Sequence, residues 1–284
     1  MNLLTKVLHH LTKKPRQAAP HPTKGTRILV MGLAKSGTSI LMFRIAGGLE
    51  PRREYFEPRG QRGQIDLPFH QEICQWTGNV ITKIVFQPHL PHALDEIFPL
   101  YDRIVWIIRD PRDQLISSFF YSWFKGHNPN PRKFQQALAC AREKEAAPAT
   151  VPFHTLSPLC ANKKRFRRIY DALLAFLKKH HERLFIIRYE DFIDGNLDEL
   201  ETYLGFPLDQ EAQVRRFVRR VSRSRASGNW RRWFTPEDVE FYQPKINPYL
   251  AALGYAPNDW ALQPVDSLPA KEGSEYMKRM FAGG

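Results

Sequence analysis

Short apolar runs alternate along this chain with longer stretches in which apolar residues recur every three or four positions. The short runs are rich in β-branched residues and bounded by polar ones, and they predict buried strands at 27–31, 80–86, 103–108 and 184–188. The periodic stretches predict helices at 38–48, 67–77, 91–98, 111–125, 132–144, 161–181, 196–204, 209–221 and 236–253. Strands that alternate with helices favour a parallel β-sheet flanked by helices, with a ligand beyond the carboxyl ends of the strands.

The remaining segments complete the predicted organisation. A chain of 284 residues is long enough for one α/β domain, which we place at 26–262. A basic segment, 1–25, precedes this domain, and a tail, 263–284, follows it. The stretch 50–66 is basic and rich in turn residues, while 126–158 is rich in Pro and Ala around one helical stretch. We interpret 126–158 as an insertion that forms a lobe or lid over a substrate of the domain.

The first predicted strand leads into a loop with the composition of a phosphate cradle. It reads GLAKSGTS from Gly32 to Ser39, and an apolar helix pattern follows. Glycines let the backbone approach a ligand, and the N-terminus of a helix offers several N–H groups to an anion. In nucleoside triphosphatases a Lys follows the second glycine, but here Thr38 takes that place and the cation is Lys35, inside the loop. An ordinary Gly-rich turn between a strand and a helix is the alternative interpretation.

A second candidate anion site follows the predicted strand 103–108. Arg109 stands at its carboxyl end, Asp110 suits a helix N-cap, and Pro111 suits the first position of the next helix. Ser117 lies about two helical turns further along. A guanidinium offers a bidentate fork to a phosphate, and a hydroxyl adds a further donor. Alternatively, Arg109 only ends a strand and Asp110 only caps a helix.

Together, the two segments resemble the nucleotide-binding motifs of sulfotransferases that use 3′-phosphoadenosine-5′-phosphosulfate (PAPS). The family's loop for the 5′-phosphosulfate is similar to Lys35, Ser36, Gly37, Thr38 and Ser39, and its 3′-phosphate site is similar to Arg109 with Ser117. The resemblance spans roughly residues 27–255. It implies a P-loop-like fold of three α/β/α layers. It also implies an enzyme that transfers a sulfuryl group from PAPS to an acceptor hydroxyl or amine, without a metal ion.

A third segment, 184–191, resembles the strand and Tyr-Glu-Asp turn of this family. The resemblance implies that Tyr189 contacts the adenine, for which an aromatic face and a phenol are both useful. Ile40 stands where the cytosolic members often carry a Trp that stacks on adenine. The chain is therefore more similar to a bacterial or carbohydrate-type member than to a small-phenol enzyme.

A fourth segment, Ser227–Thr235, resembles the family's C-terminal loop, which follows a basic run that grips the 3′-phosphate. Arg223 falls on the family's Arg, but Ser224 replaces its Lys and Arg225 replaces its Gly. The resemblance implies phosphate contacts from Arg223, Arg225 and Gly228, and the departures leave open which of them are ligands.

The resemblance also assigns catalytic roles. Lys35, with the loop N–H groups of residues 36–39, is expected to stabilise the leaving phosphate. His89 and Glu57 are alternative general bases for the acceptor, and Lys83 is a candidate contact to the sulfuryl group. Each also has a structural interpretation: His89 as a turn residue, Glu57 as a surface ion-pair partner and Lys83 as a solvated strand residue.

The charge pattern bears on the partners. The formal net charge is +13 and the isoelectric point is about 9.7, with basic clusters at 6–16, 52–62, 163–168 and 215–225. Such a field attracts anions generally, but no basic–aromatic repeat or zinc-finger spacing indicates nucleic acid. Leucines at helical spacing among basic residues in 1–11 would let the N-terminal segment lie on a membrane surface. A helix packed on the domain or a frayed tail is the alternative.

Cysteine usage and hydropathy indicate a compartment. Cys74, Cys140 and Cys160 show neither metal spacing nor a disulfide framework, and no run of eighteen apolar residues is present. The first 17 residues lack the continuous apolar core of a signal peptide. We therefore expect a cytoplasmic protein, and peripheral membrane contact through its basic N-terminus stays one of the alternatives.

Two rival functions stay open at this point. A P-loop-type kinase or other nucleotide-binding enzyme would share the fold, and a non-catalytic anion-binding module would share the basic surface. The acceptor could be a glycan, a lipid or a small metabolite, and the sequence does not predict the oligomeric state.

Overall fold

The computed structural model describes residues 25–50, 52–58, 64–158, 160, 162–208, 220, 223–224 and 226–283. The chain divides into two compact units. The first, here called the sheet unit, comprises residues up to Arg109 together with 168–214, and the second, the helical unit, comprises 110–167 together with 215–284. Apart from Gly25 and Arg220, the predicted N-terminal segment 1–25 and the predicted helix 209–221 lie outside the described residues.

Parallel strands form the centre of the sheet unit. They are β1 (Arg27–Gly32), β2 (Arg52–Phe56), β3 (Asn79–Val85), β4 (Arg103–Ile108) and β5 (Phe185–Arg188), in the order β2-β3-β1-β4-β5. Every neighbouring pair is parallel, with Val30 of β1 level with Lys83 of β3 and Val105 of β4. The carboxyl ends of the strands therefore meet along one edge of the sheet. This architecture confirms the predicted α/β fold with a parallel sheet.

The described helices of the sheet unit are α1 (Thr38–Gly47), α2 (Leu67–Ile73), α3 (Pro91–Ile97), α7 (Tyr189–Asp194) and α8 (Asp198–Leu204). Those of the helical unit are α4 (Pro111–Tyr121), α5 (Pro131–Ala146), α9 (Trp230–Trp233), α10 (Pro236–Ala252) and α11 (Ser274–Ala282), while α6 (Lys163–His180) starts there and ends in the sheet unit. Proline opens α3, α4, α5 and α10, where its missing N–H and fixed φ suit the first turn. None of the described helices is both long and apolar enough to span a bilayer.

Both faces of the sheet are covered. On one face, the buried strand residues share a core with α1, α7 and α8, and they are Ile28, Val30, Ile81, Val105, Ile107 and Ile187. On the other face, the Trp106 ring lies 5.3 Å from the rings of Phe86 and of Phe176 on α6. Successive strand residues point to opposite faces, so this alternation gives the three layers of the predicted fold.

The prediction missed one strand. Residues 50–66 were expected to be a turn-rich basic stretch, but Arg52–Phe56 form β2 at the edge of the sheet, paired only with β3. An edge strand carries charged side chains without burying them, and β2 has no fully buried residue. Its sequence, RREYF, therefore lacks the apolar run by which the other strands were predicted.

The helical unit has its own core. It draws on the predicted insertion 126–158 through α5, with Phe134, Leu138 and Ala141, and through Phe153. The predicted tail 263–284 contains α11, whose Tyr276, Met277 and Met280 are fully buried in the same core. Both segments thus contribute to the packing of the helical unit.

Candidate active site

The loop between β1 and α1, Gly32–Ser39, is here called the anion loop. A Cβ atom on Gly32 would lie 2.5 Å from the Ile107 carbonyl oxygen and 2.6 Å from the Ser36 hydroxyl oxygen, so only glycine fits. Gly37, the N-cap of α1, has φ 103°, a region that side chains disfavour. The two glycines therefore allow a tight strand–loop–helix connection, as the sequence predicts.

Ser36 shapes this loop from within. Its hydroxyl donates to the Leu33 carbonyl at 2.7 Å, and its backbone N–H donates to the same carbonyl at 3.2 Å. The predicted Ser36 donors are thus both used inside the loop. The N–H groups at the start of α1 lack helical partners by geometry, and no side chain of the described residues caps this helix. The positive end of the helix dipole adds to their attraction for an anion.

Arg109 brings the two predicted anion sites together. It follows β4, is only 6% exposed, and donates from Nη1 to the Lys35 carbonyl at 3.2 Å. Lys35 has φ 67°, which is unusual for a residue other than glycine. The Arg109 guanidinium also lies 4.2 Å from the centre of the Tyr189 ring. The strand ends of β1, β4 and β5 thus place Lys35, Arg109 and Tyr189 in one cluster.

Tyr189 packs tightly in this cluster. It opens α7 directly after β5 and is 2% exposed. A Cβ atom on Gly37 would lie 2.6 Å from Tyr189 Cδ2, so the ring edge abuts the anion loop. One face of the ring is covered by Arg109. The ring thus contacts both the anion loop and Arg109.

Lys83 and Glu57 form a second cluster at the same end of the sheet. The Lys83 ammonium, on a side chain 3% exposed, donates to Glu57 Oε1 at 2.5 Å and to Ser39 Oγ at 3.0 Å. It also lies 3.7 Å from the centre of the Phe56 ring. The parallel register sets Phe56 level with Lys83, and the Glu57 N–H donates to the Lys83 carbonyl at 2.9 Å. Backbone pairing therefore fixes a carboxylate and an ammonium group beside the anion loop.

The Glu57 carboxylate remains accessible within this pair. About a third of its side chain, 32%, is exposed, and its φ of 53° is in the left-handed region. His89, the other predicted base, is exposed in the turn between β3 and α3. The hydrogen bonds of Lys83 described above go to Glu57 and Ser39. Of the three predicted catalytic groups beyond the loop, the structure pairs Glu57 with Lys83.

The other predicted nucleotide contacts belong to the helical unit. Ser117 is buried in α4. Arg223 has a side chain 2% exposed, donates to the Glu272 carbonyl at 3.3 Å, and lies 3.8 Å from the Glu272 carboxylate. Gly228, with φ 68°, donates its N–H to Asp113 at 2.6 Å. Arg225 lies outside the described residues.

Sequence reasoning missed the role of Asp113. This fully buried carboxylate accepts hydrogen bonds from the backbone N–H groups of Gly228 and Trp230, at 2.6 and 2.9 Å. The sequence contained a signal for this role. Asp113 ends the Asp-Pro-Arg-Asp run after β4 and lies in the first turn of α4, and no hydrogen-bond partner was predicted for it. Asp113 fixes the shape of the segment that precedes α9.

Among the described residues, no group of three or more His, Cys, Asp or Glu side chains is arranged to hold a metal ion. The fit of a nucleotide donor can be judged from the residues present. At one end of the sheet, the start of α1 offers backbone N–H groups, and Lys35 and Arg109 carry positive charges. That set suits a ligand with more than one anionic group.

A family model described as a sulfotransferase domain matches residues 79–250, more than half of the chain. The matched range starts with β3 and includes Lys83, Arg109 and Tyr189, whereas the anion loop and Glu57 precede it. No curated protein matches this chain in sequence.

Several solved structures are similar to the chain at low identity. A mouse sulfotransferase complexed with PAP is 16% identical, with 79% of this chain and 84% of that chain covered and a TM-score of 0.48. A sulfotransferase from Alicyclobacillus acidocaldarius is 16% identical, with 84% and 98% covered and a TM-score of 0.47. A retinol dehydratase in a complex with retinol and PAP is 15% identical, with 86% of each chain covered and a TM-score of 0.42.

Proposed function

This chain belongs to the sulfotransferase family, and on that premise we propose that it transfers a sulfuryl group from PAPS to a hydroxyl or amine of an acceptor. The donor supplies the sulfuryl group when it is bound, and the residues of the chain bind it, orient it and handle the charges and the proton.

The hydrogen bond between Arg109 Nη1 and the Lys35 carbonyl, at 3.2 Å, is the observation that carries this proposal. It joins the two segments that resemble the 5′- and 3′-ends of a PAPS site, although 74 positions separate them in the chain. One nucleotide with phosphates at both ends of its ribose could therefore contact both. Thr38 stands in the place of the lysine that P-loop kinases use, which favours PAPS over a nucleoside triphosphate.

Lys35 and the start of α1 would stabilise the leaving phosphate. In sulfuryl transfer, charge grows on the oxygen that bridges sulfur and phosphorus. Fixed N–H groups and a cation in a site shielded from water lower the energy of that charge, as they do in phosphoryl transfer. Lys35 is half-buried in a loop whose backbone is fixed by Arg109. We assign the donor contacts to Lys35, Gly37, Thr38, Ser39 and Arg109.

Glu57 and Lys83 would serve the acceptor side. We propose that the Glu57 carboxylate takes the proton of the acceptor hydroxyl or amine, because it is accessible and fixed beside Ser39 through Lys83. The Lys83 ammonium would contact the sulfuryl group during its transfer. His89 stays an alternative base, and its exposed position would let it reach solvent. The contacts of Ser36, Ser117, Arg223, Arg225 and Gly228 with the donor remain predictions.

The donor is tested by calorimetry with 3′-phosphoadenosine-5′-phosphate (PAP), which is PAPS without its sulfuryl group, against ATP with Mg²⁺. We expect the chain to prefer PAP, and a preference for ATP with Mg²⁺ would indicate a kinase-type enzyme instead. A screen with radiolabelled PAPS over glycans, lipids and small metabolites then identifies the acceptor. If PAP binds but no acceptor receives the label, the chain is an anion-binding module.

The base is tested with Glu57→Gln. We expect kcat to fall by about 10²- to 10⁴-fold while PAP affinity changes little, because general base catalysis contributes that much. Glu72→Gln is the matched control, since Glu72 is exposed on α2, and the melting temperatures of both variants verify folding. A loss of similar size in His89→Gln with Glu57→Gln unaffected would transfer the role to His89.

A further inference from the structure

The Tyr189 ring lies between Arg109 and the anion loop. The Arg109 guanidinium is 4.2 Å from the ring centre, and Gly37 approaches the ring edge so closely that a Cβ atom there would lie 2.6 Å from Cδ2. Arg109 in turn donates to the Lys35 carbonyl. A chain of contacts thus leads from the ring through the arginine to the backbone of Lys35, and directly from the ring to Gly37.

The anion loop needs such support. Lys35 has φ 67°, in the left-handed region where a Cβ atom crowds the following carbonyl. Non-glycine residues stay in this region when their surroundings fix them there. The Arg109 hydrogen bond holds the Lys35 carbonyl. Stacking on an aromatic ring restrains a guanidinium and adds a cation–π attraction.

We propose that Tyr189 is a positioning residue: through Arg109 and Gly37, its ring holds the anion loop in the conformation that presents Lys35 and the start of α1 to the donor. This role differs from the adenine contact that the family resemblance implies. It rests on the proposed function only in so far as the ligand of the loop is PAPS.

The burial of Tyr189 favours this role. Only 2% of the residue is exposed, and Arg109 covers one face of the ring. Little of the ring surface is left for a purine base to stack on. The two roles also depend on different parts of the side chain. Positioning needs the ring, whereas a hydrogen bond to adenine needs the phenol oxygen.

The test compares two ligands, one with an adenine and one without. Calorimetry of the full chain measures the affinities of PAP and of inorganic pyrophosphate for wild type, Tyr189→Phe and Tyr189→Leu. We expect Tyr189→Phe to bind both as wild type does. Tyr189→Leu should weaken the binding of both ligands by about ten-fold, a change within the range of interaction energies between residues in contact. Phe185→Leu is the matched control, because that ring stacks on Tyr203 in the same unit at 4.9 Å, and it should leave both affinities unchanged.

A double-mutant cycle shows whether Tyr189 acts through Arg109. If it does, Tyr189→Leu weakens pyrophosphate binding much less in an Arg109→Gln background than in wild type. A purely structural loss would instead add to that of Arg109→Gln and would also appear in Phe185→Leu, and this would overturn the proposal. A loss of PAP affinity with pyrophosphate affinity retained, in either Tyr189 variant, would assign Tyr189 to the adenine and overturn the proposal.

If Tyr189→Leu does not fold, Tyr189→Phe and the Arg109→Gln single variant still decide the matter. A ten-fold loss of PAP affinity in Tyr189→Phe with pyrophosphate affinity retained contradicts positioning. Wild-type binding of both ligands by Tyr189→Phe, together with weaker pyrophosphate binding by Arg109→Gln, supports it. Failure of the wild-type chain to bind PAP is a separate result, which would overturn the proposed donor.

Discussion

The anion loop, Gly32–Ser39, and the C-terminal loop segment, Ser227–Thr235, both resemble phosphate-binding motifs, yet their structures differ. In the anion loop, Arg109 donates to the Lys35 carbonyl, and the start of α1 has no side-chain cap among the described residues. In the C-terminal segment, the Gly228 N–H donates to Asp113. Arg223, just before that segment, already contacts Glu272.

This difference teaches where a phosphate site can be recognised from a motif. The anion loop is built from backbone groups at the ends of strands, which the strand–loop–helix pattern fixes locally. In the C-terminal segment, donors that resemble phosphate ligands take part in internal hydrogen bonds, which no local pattern reveals. We therefore expect donor affinity to depend more on the anion loop than on the C-terminal segment.

The largest effect is expected from removing the cations of the anion loop cluster. Lys35→Ala and Arg109→Ala should each lower kcat/KM for PAPS by about 10²- to 10³-fold. The loss of one hydrogen-bond donor to an anionic group of PAPS or of the transition state costs about 3–4 kcal/mol. Lys178→Ala is the control, since Lys178 is exposed on α6. Steady-state kinetics with saturating acceptor provide the measurement, and near-wild-type turnover of either variant would remove the basis of the site.

The buried His70 of the sheet unit makes stability depend on pH. Burial lowers the pKa of His70 from 6.5 to about 4, while Asp66 acts in the opposite direction, and the ring hydrogen-bonds to Tyr101 at 2.7 Å. In the unfolded chain His70 binds a proton near pH 6.5, but in the folded chain it does so only near pH 4. The contribution of His70 to stability is therefore fully present above pH 6.5 and is lost on the way down to pH 4, by about 3 kcal/mol.

The measurement is the free energy of unfolding in urea at several pH values between 4 and 7. His70→Gln, which keeps a polar side chain but does not titrate, should have a smaller slope, and the lowered pKa of the partly buried His180 should account for part of what remains. An unchanged slope in that variant would mean that other groups control the acid sensitivity of the sheet unit.

Two glycines with positive φ allow a matched test of the two loops. Gly37→Ala would force a Cβ atom against Tyr189, whereas the nearest atom to a Cβ atom on Gly228 would be 3.9 Å away. Both substitutions cost about 1–2 kcal/mol for the left-handed backbone, but only Gly37→Ala should disturb the anion loop. We expect calorimetry to show a loss of PAP affinity of about ten-fold or more in Gly37→Ala, and little loss in Gly228→Ala. Equal losses would erase the distinction between the loops.

The smallest effect is expected from Arg223→Ala. Because Arg223 is buried and contacts Glu272, its loss should lower PAP affinity by less than about three-fold, under 1 kcal/mol. Its main effect should be a lower melting temperature, since a buried charge partner is removed. A loss of PAP affinity as large as that of Arg109→Ala would show that the basic run before the C-terminal segment binds the donor as strongly as the anion loop.

Much of the sheet, and some of the residues that lie together in the candidate site, could be predicted from the sequence. The strand 103–108 was predicted with its observed bounds, and β1, β3 and β5 within one or two residues, because strands buried on both faces have continuous apolar runs. The edge strand β2 has no such run, so the prediction missed it. The pairing of Glu57 with Lys83 depends on the register between β2 and β3, and was therefore out of reach.

The contact between Arg109 and Tyr189 was also beyond the sequence. Both residues follow strands, but only the strand order shows that β4 and β5 are neighbours. Likewise, 263–284 was predicted only as a tail, although its residues 274–282 form α11. Its buried face becomes evident only from the core of the helical unit that it helps to form.

The nearly complete burial of the Lys83 side chain has a consequence for how such sequences can diverge. Its ammonium has the Glu57 carboxylate at 2.5 Å, and a covered charge that loses its counterpart is strongly destabilising. In a lineage in which Glu57 is replaced by an uncharged residue, selection should therefore favour the replacement of Lys83 as well. We therefore expect positions 57 and 83 to covary among natural variants of this sequence.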